Sequence, residues 1–171
     1  MADEFSIVPM ASIHVEEISR LDGLCYGEDE KWPVDSYLTE LERGYAHYLV
    51  VLKDEQIIGV GGVWVFFDQA EISTIFMDPS WQGRGLGSLL FAHLVKEAIE
   101  WGADEATLEV RNSNLAAIKV YEKFGFKQIG WRRKYYADGE DARLMQSTHW
   151  QSEKFESFVT KFLDDWHLKE R

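Results

Sequence analysis

Gln82-Gly83-Arg84-Gly85-Leu86-Gly87-Ser88 stands between a strand-like run and a long amphipathic stretch, and its reading decides the fold. Glycines at alternate positions let the chain bend tightly and bring backbone N–H groups close to a ligand. A helix starting there adds unpaired donors and the positive end of its dipole, a setting that favours an anion such as a pyrophosphate. Two familiar phosphate loops do not fit. A P-loop requires Gly-x-x-x-x-Gly-Lys-Ser/Thr, and no lysine ends this loop. A dinucleotide fingerprint requires Gly-x-Gly-x-x-Gly opening a βαβ unit, whereas Gly-x-Gly-x-Gly here follows a meander. The plain alternative is a glycine-rich turn with no ligand.

Strand and helix patterns alternate on both sides of the loop. Upstream, Phe5–Val8 reads as a first strand, and Ser12 precedes a helical pattern ending near Gly23–Gly27. A second helix starts at Trp32-Pro33 and ends near Arg43-Gly44. Tyr48–Leu52, Ile57–Phe67 and Ala70–Met77 read as an antiparallel meander, with turns at Asp54-Glu55 and Asp68-Gln69. Downstream, a helix runs from about Gly85 to Trp101 with Leu86, Leu89, Leu90, Leu94 and Ile99 on its apolar stripe. Ala106–Val110 follows as a buried strand, and Asn112 or Ser113 caps a helix ending at Phe124-Gly125. Phe126–Tyr136 and Ala142–Ser147 read as a last pair of strands joined across Asp138-Gly139. The tail repeats Phe155, Phe158, Val159, Phe162, Leu163 and Trp166 at helical spacing, an amphipathic helix packed on its own domain or on a partner.

With 171 residues, 46% of them apolar and only three prolines, the chain has the size and composition of one globular domain. Its net charge of −12 repels phosphates, which disfavours a nucleic acid partner and would steer a basic substrate inward. Cys25 is the one cysteine, so no internal disulfide can form. Met1-Ala2-Asp3-Glu4-Phe5 is no signal peptide, and the longest apolar run, Ile57–Phe67, is broken by Gly59, Gly61 and Gly62. A cytoplasmic protein with no membrane segment is expected. His14, His47, His93, His149 and His167 are dispersed, so no metal is expected. A serine acyl-enzyme has no support either, since no Gly-x-Ser-x-Gly elbow occurs.

The loop, taken with Leu108-Glu109-Val110-Arg111-Asn112-Ser113-Asn114 and the run through Tyr121-Glu122-Lys123-Phe124-Gly125-Phe126, resembles the GNAT superfamily of N-acetyltransferases. These motifs, with Arg132-Arg133-Lys134-Tyr135-Tyr136, are similar to its ribosomal-protein alanine N-acetyltransferase (RimI) branch, and the likeness covers about residues 48–145. It implies an α/β (α+β) GNAT fold. That fold is a mixed, mostly antiparallel sheet of six to seven strands flanked by about four helices, here plus a C-terminal helix. The acetyltransferase domain would span 1–148, with 149–171 an extension of it. Acetyl-CoA would be the co-substrate, its pyrophosphate held by Gln82, Gly83, Arg84, Gly85, Leu86, Gly87 and Ser88. Ile75, Phe76 and Met77 would lie beside the pantetheine, on a strand that bulges and splays from its neighbour. Backbone N–H groups there, that of Met77 especially, would stabilise the oxyanion. Asn114 would contact the cofactor, and Tyr135 and Tyr136 would border a peptide groove.

Two catalytic roles follow from the same resemblance: Glu109 as base and Tyr121 as the acid near the sulfur, with Glu71 as the rival base. The residues agree with the chemistry. A carboxylate within an apolar strand is costly to desolvate without a partner or a task. It is open at this point whether Glu109 faces solvent or pairs with Arg111, and whether Tyr121 is a core tyrosine. An α-amine, pKa about 7.7–8.0, is about one-tenth neutral near pH 7, so one carboxylate could suffice for it.

Three departures bear on the substrate. Phe76 and Met77 are bulkier than the branch usually carries, Gly83 replaces a basic residue, and the tail runs on beyond Thr148. The acceptor is therefore expected to be a protein N-terminus, with a small-molecule amine as the alternative. A third alternative is an acyl-CoA-binding module without catalysis. The tail admits a substrate lid or a homodimer contact beside simple packing on the sheet.

Overall fold

Two-residue turns and paired apolar strands set the register of the sheet. The computed structural model describes residues 4–169, with side chains through Trp166; residues 1–3 and the His167 side chain, both part of the reading above, lie outside. In chain order the elements are β1 (Phe5–Pro9), α1 (Val15–Tyr26), α2 (Val34–Glu42), β2 (Ala46–Lys53), β3 (Gln56–Phe66) and β4 (Gln69–Met77). Then come α3 (Leu86–Glu100), β5 (Glu105–Arg111), α4 (Leu115–Lys123), β6 (Lys127–Arg132), β7 (Ala142–Ser147) and α5 (Glu153–Lys169). The sheet order is β1-β2-β3-β4-β5-β7-β6. Every neighbour pair is antiparallel except β4–β5, which α3 joins as the crossover a parallel pair needs. The expected mixed, mostly antiparallel sheet forms with seven strands. Among the described residues no helix is long and apolar enough to cross a membrane.

Where element boundaries differ from expectation, pairing decides. Asp54 and Glu55 both hold positive φ, as a two-residue hairpin turn demands. The next turn is Phe67-Asp68, one residue earlier than the composition suggests, because Phe66 pairs with Gln69 and leaves Phe67 at the tip with φ 56°. β6 ends at Arg132, not Tyr136. Arg132 pairs with Ala142, and Asp141 takes hydrogen bonds from Arg133 and the Lys134 amide, folding 133–141 into a loop. Asn114, not Asn112 or Ser113, caps α4.

Both faces of the sheet are apolar, but only one is fully covered. Val63, Ile72, Leu108 and Val110 pack with Leu90, Phe91 and Leu94 of α3, Ile118 and Tyr121 of α4, and Val159 and Leu163 of α5. On the other face Val50, Val60 and Phe76 pack with Ile18 and Leu21 of α1 and Tyr37 of α2. Those two helices lie over β2, β3 and β4. The outer side of β5–β7 carries Glu109, Arg111 and Arg143 rather than core residues, and an open face results beside a closed one.

β4 carries a bulge where these halves meet. Gly62 pairs with Thr74 and Val63 with Ile72, leaving Ser73 as the extra residue. The Ser73 and Tyr48 hydroxyls are 2.9 Å apart and pin the bulge. Gly62 makes room for them: a Cβ there would overlap the Tyr48 ring and stand 2.7 Å from Ser73 Oγ. Gly62→Ala is expected to cost about 1–3 kcal/mol through overpacking, read as a lower urea midpoint. An unchanged midpoint would contradict this packing.

Candidate active site

Parallel pairing between β4 and β5 covers three residues on each strand, Gln69–Glu71 against Glu105–Thr107, and stops. β4 runs on to Met77 and β5 to Arg111, so the strands part and leave a gap within the sheet. Asp78 N donates to Ile58 O at 2.7 Å. Alternation along an antiparallel ladder then turns the backbone of Phe76 and Thr74 toward β3, and that of Ile75 and Met77 into the gap. Side chains reach the carbonyls there. Tyr26 Oη donates to Ile75 O at 3.2 Å, while Cys25 Sγ and Gln82 Nε2 donate to Met77 O at 3.3 and 3.1 Å. The N–H groups of Ile75 and Met77 face the same gap.

Bulk at the end of β4 is directed away from the opening. Phe76 is buried on the α1/α2 side with its ring against Tyr26, and Met77 is buried toward α3. The glycine-rich loop follows. Asp78 accepts from Ser80 N at 2.8 Å and starts the turn. Gly83 and Gly85 hold φ of 77° and 83°, left-handed values that glycine adopts without cost. Gly85 is the N-cap of α3 and has no side chain to satisfy the first N–H groups of that helix. Arg84 is held over the Trp81 ring at 4.5 Å.

Glu71 sits where the gap begins and Glu109 two residues along β5 from Thr107, both half-buried. Glu109 pairs with Arg132, whose Nε lies 2.7 Å from Oε1. The other partner considered from sequence, Arg111, is engaged elsewhere. It bridges Glu30, Asp138 and Glu140 and lies 4.0 Å from the Tyr136 ring centre, tying the loop after α1 to the β6–β7 loop. Burial first, and the Glu109 charge second, raise the Glu71 pKa, with Arg132 offsetting part.

Tyr121 is buried across the sheet from these carboxylates, its ring 5.1 Å from that of Phe91. Burial lifts its pKa, and Tyr26 and Tyr136 lie near enough to add to the shift. Tyr135 is half-exposed, with its ring 5.1 Å from Tyr136. Asn114 Oδ1 accepts from Ala117 N at 3.2 Å, so its oxygen serves the helix. Tyr26 and Arg132 were not singled out by sequence reasoning. Arg132 lay within the quoted Arg-Arg-Lys-Tyr-Tyr run, whereas Tyr26 had no local signal because only tertiary folding brings α1 to β4. Among the described residues no group of three or more His, Cys, Asp or Glu is placed to hold a metal.

Comparison with known proteins places this arrangement. Residues 15–126 match the acetyltransferase (GNAT) family. The ribosomal protein bS18-alanine N-acetyltransferase of Salmonella typhimurium (strain LT2) is 41% identical over 100 residues, 57% of this chain and 68% of that one. A Bacillus subtilis (strain 168) protein provisionally given the same name is 44% identical over 119 residues, 68% of this chain and 79% of that one. The crystal structure of the ribosomal-protein-S18-alanine N-acetyltransferase from Escherichia coli superposes with a TM-score of 0.76 at 27% identity, covering 85% of this chain and 94% of that one.

The raised Glu71 pKa has a measurable consequence. The native state holds this proton more tightly than the unfolded chain, whose value is 4.5. The contribution therefore favours folding below that value and is lost as pH rises through the native pKa. Glu71→Gln is expected to be more stable than the parent near about pH 7, with the difference shrinking toward about pH 4. Urea unfolding across pH checks this, and a pH-independent difference would contradict it.

Proposed function

Because the chain belongs to the GNAT acetyltransferase family and is an acetyl-CoA-dependent N-acetyltransferase, we propose that its acceptor is the α-amine of a protein N-terminus, with a ribosomal protein as candidate. One observation carries this reading. Glu71 and Glu109 line the open face of the β4–β5 gap, while Tyr121 approaches the same gap from the covered face. An extended peptide end can reach the open face between Tyr26 and the Tyr135–Tyr136 pair, and the relatives named as ribosomal protein bS18-alanine N-acetyltransferases support that choice.

The residues fit acetyl-CoA. Gly85 leaves the start of α3 without a side-chain cap, a setting that suits a diphosphate. Ile75 and Met77 present backbone groups to the gap as a strand edge does, which suits an arm carrying its own amides. Acetyl-CoA supplies the thioester whose acetyl group is transferred. On this reading Glu109, oriented by Arg132, accepts a proton from the incoming ammonium, leaving a neutral amine to attack. The Met77 N–H hydrogen-bonds the thioester oxygen as negative charge develops on it, and the Ile75 N–H, one strand repeat away, is left for an amide carbonyl of the pantetheine arm. Tyr121 donates its proton to the sulfur as the C–S bond breaks, and is resupplied by the proton the new amide nitrogen sheds. The burial that raises its pKa keeps the phenol protonated beforehand. Glu71, whose pKa burial and the Glu109 charge raise, is the positioning neighbour of Glu109.

Thiol release on a panel of N-terminal peptides and small polyamines tests the proposal. Turnover is expected on peptides, and Glu109→Gln and Tyr121→Phe should each lower it at least about tenfold while acetyl-CoA affinity stays within about twofold. Turnover confined to polyamines would overturn the acceptor. Coenzyme binding with no turnover on any amine would leave a binding module, and undiminished turnover in both variants would remove the two roles.

A further inference from the structure

The family match ends at Phe126, and α5 lies well beyond it. α5 runs antiparallel along the whole of α3. Just ahead of it, Gln151 Nε2 donates to Ile99 O and Ala103 O, at 3.0 and 2.8 Å, where α3 ends. Val159 and Leu163 are buried against the core, and the Phe162 ring lies 5.2 Å from that of Phe124, just past α4. At the far end, Trp166 Nε1 stands 3.4 Å from where a Cβ on Gly85 would lie. The last described turn of α5 therefore sets an indole beside the N-cap of α3, at the edge of the glycine-rich loop.

The geometry points to a cofactor subsite on α5: the Trp166 indole forms the wall against which the adenine of acetyl-CoA stacks. This rests on the proposed reading that the loop holds the diphosphate. Beyond its diphosphate the coenzyme carries a ribose 3′-phosphate and a purine, and these must emerge next to the loop. A flat apolar indole suits a purine face. It does not suit the 3′-phosphate, because Asp164 and Asp165 are exposed on the same turn and the C-terminal end of a helix repels anions. The indole belongs to the extension, so this contact lies outside the residues that match the family. The helix whose sequence left open packing, a substrate lid or a homodimer contact thereby gains a task at one end.

Calorimetry with two donors tests the assignment: acetyl-CoA, and S-acetyl-4′-phosphopantetheine, which lacks the 3′-phospho-AMP portion and keeps one phosphate of the pair. Trp166→Ala should weaken acetyl-CoA about tenfold and leave the truncated donor unchanged, while Trp166→Phe stays within about threefold of the parent. Equal losses on both donors would show a structural role only and overturn the inference, as would unchanged or tighter acetyl-CoA binding in Trp166→Ala. Should that variant fail to fold, photolabelling of the parent with an 8-azidoadenine analogue of acetyl-CoA decides, since the label should fall on the peptide containing Trp166. Labelling elsewhere only would overturn the inference. If the parent binds neither donor, the diphosphate reading itself fails; if it binds both and Trp166→Ala changes nothing, only the α5 subsite fails.

Discussion

Two parallel strands that separate after three residues are the constraint from which the rest of this molecule follows. Backbone groups released from a ladder inside a protein cost about 1–3 kcal/mol each if they find no partner, so a gap between β4 and β5 must be furnished. The bulge at Ser73 turns the later part of β4 so that Ile75 and Met77 face the opening. Tyr26, Cys25 and Gln82 supply donors for the carbonyls there. Donors on the strand itself point into the space between, and an acyl donor with amides along its arm is the complementary shape.

The two sides of the gap differ in character, and on the proposed reading that asymmetry divides the chemistry. The covered face is a packed aromatic core in which the Tyr121 phenol stays neutral among Phe91 and Phe126. The open face is ionic, with Glu109 on Arg132 and Arg111 bridging three carboxylates. Both faces reach one opening only because β4 and β5 do not close it. A chain with a net charge of −12 thus concentrates paired cations where an acceptor would approach. The Arg111 cluster joins the loop after α1 to the β6–β7 loop on that side.

Much of this was legible in the residues. The loop glycines, the strand ahead of them and the apolar stripe of α3 predicted a strand-turn-helix unit, and φ at Gly83 and Gly85 gives the reason for two of them. Glu109 was legible as a carboxylate on an apolar strand, since Leu108 and Val110 on either side of it are core. What could not be read was tertiary. Arg132 as the partner of Glu109 depends on β7 lying between β5 and β6. Tyr26 depends on α1 folding back onto β4, and Trp166 reaches Gly85 only because α5 runs the full length of α3. Phe67 read as strand because it is apolar, and pairing of Phe66 with Gln69 put it in the turn.

Amide hydrogen exchange, followed by NMR with and without acetyl-CoA, tests most directly whether the parted strands receive the acyl donor. The amides of Ile75 and Met77 should exchange at least about tenfold more slowly in the complex, while that of Phe76, bonded into β3, changes little. Saturable binding that left Ile75 and Met77 exchanging at their free rates would put the donor somewhere other than the gap.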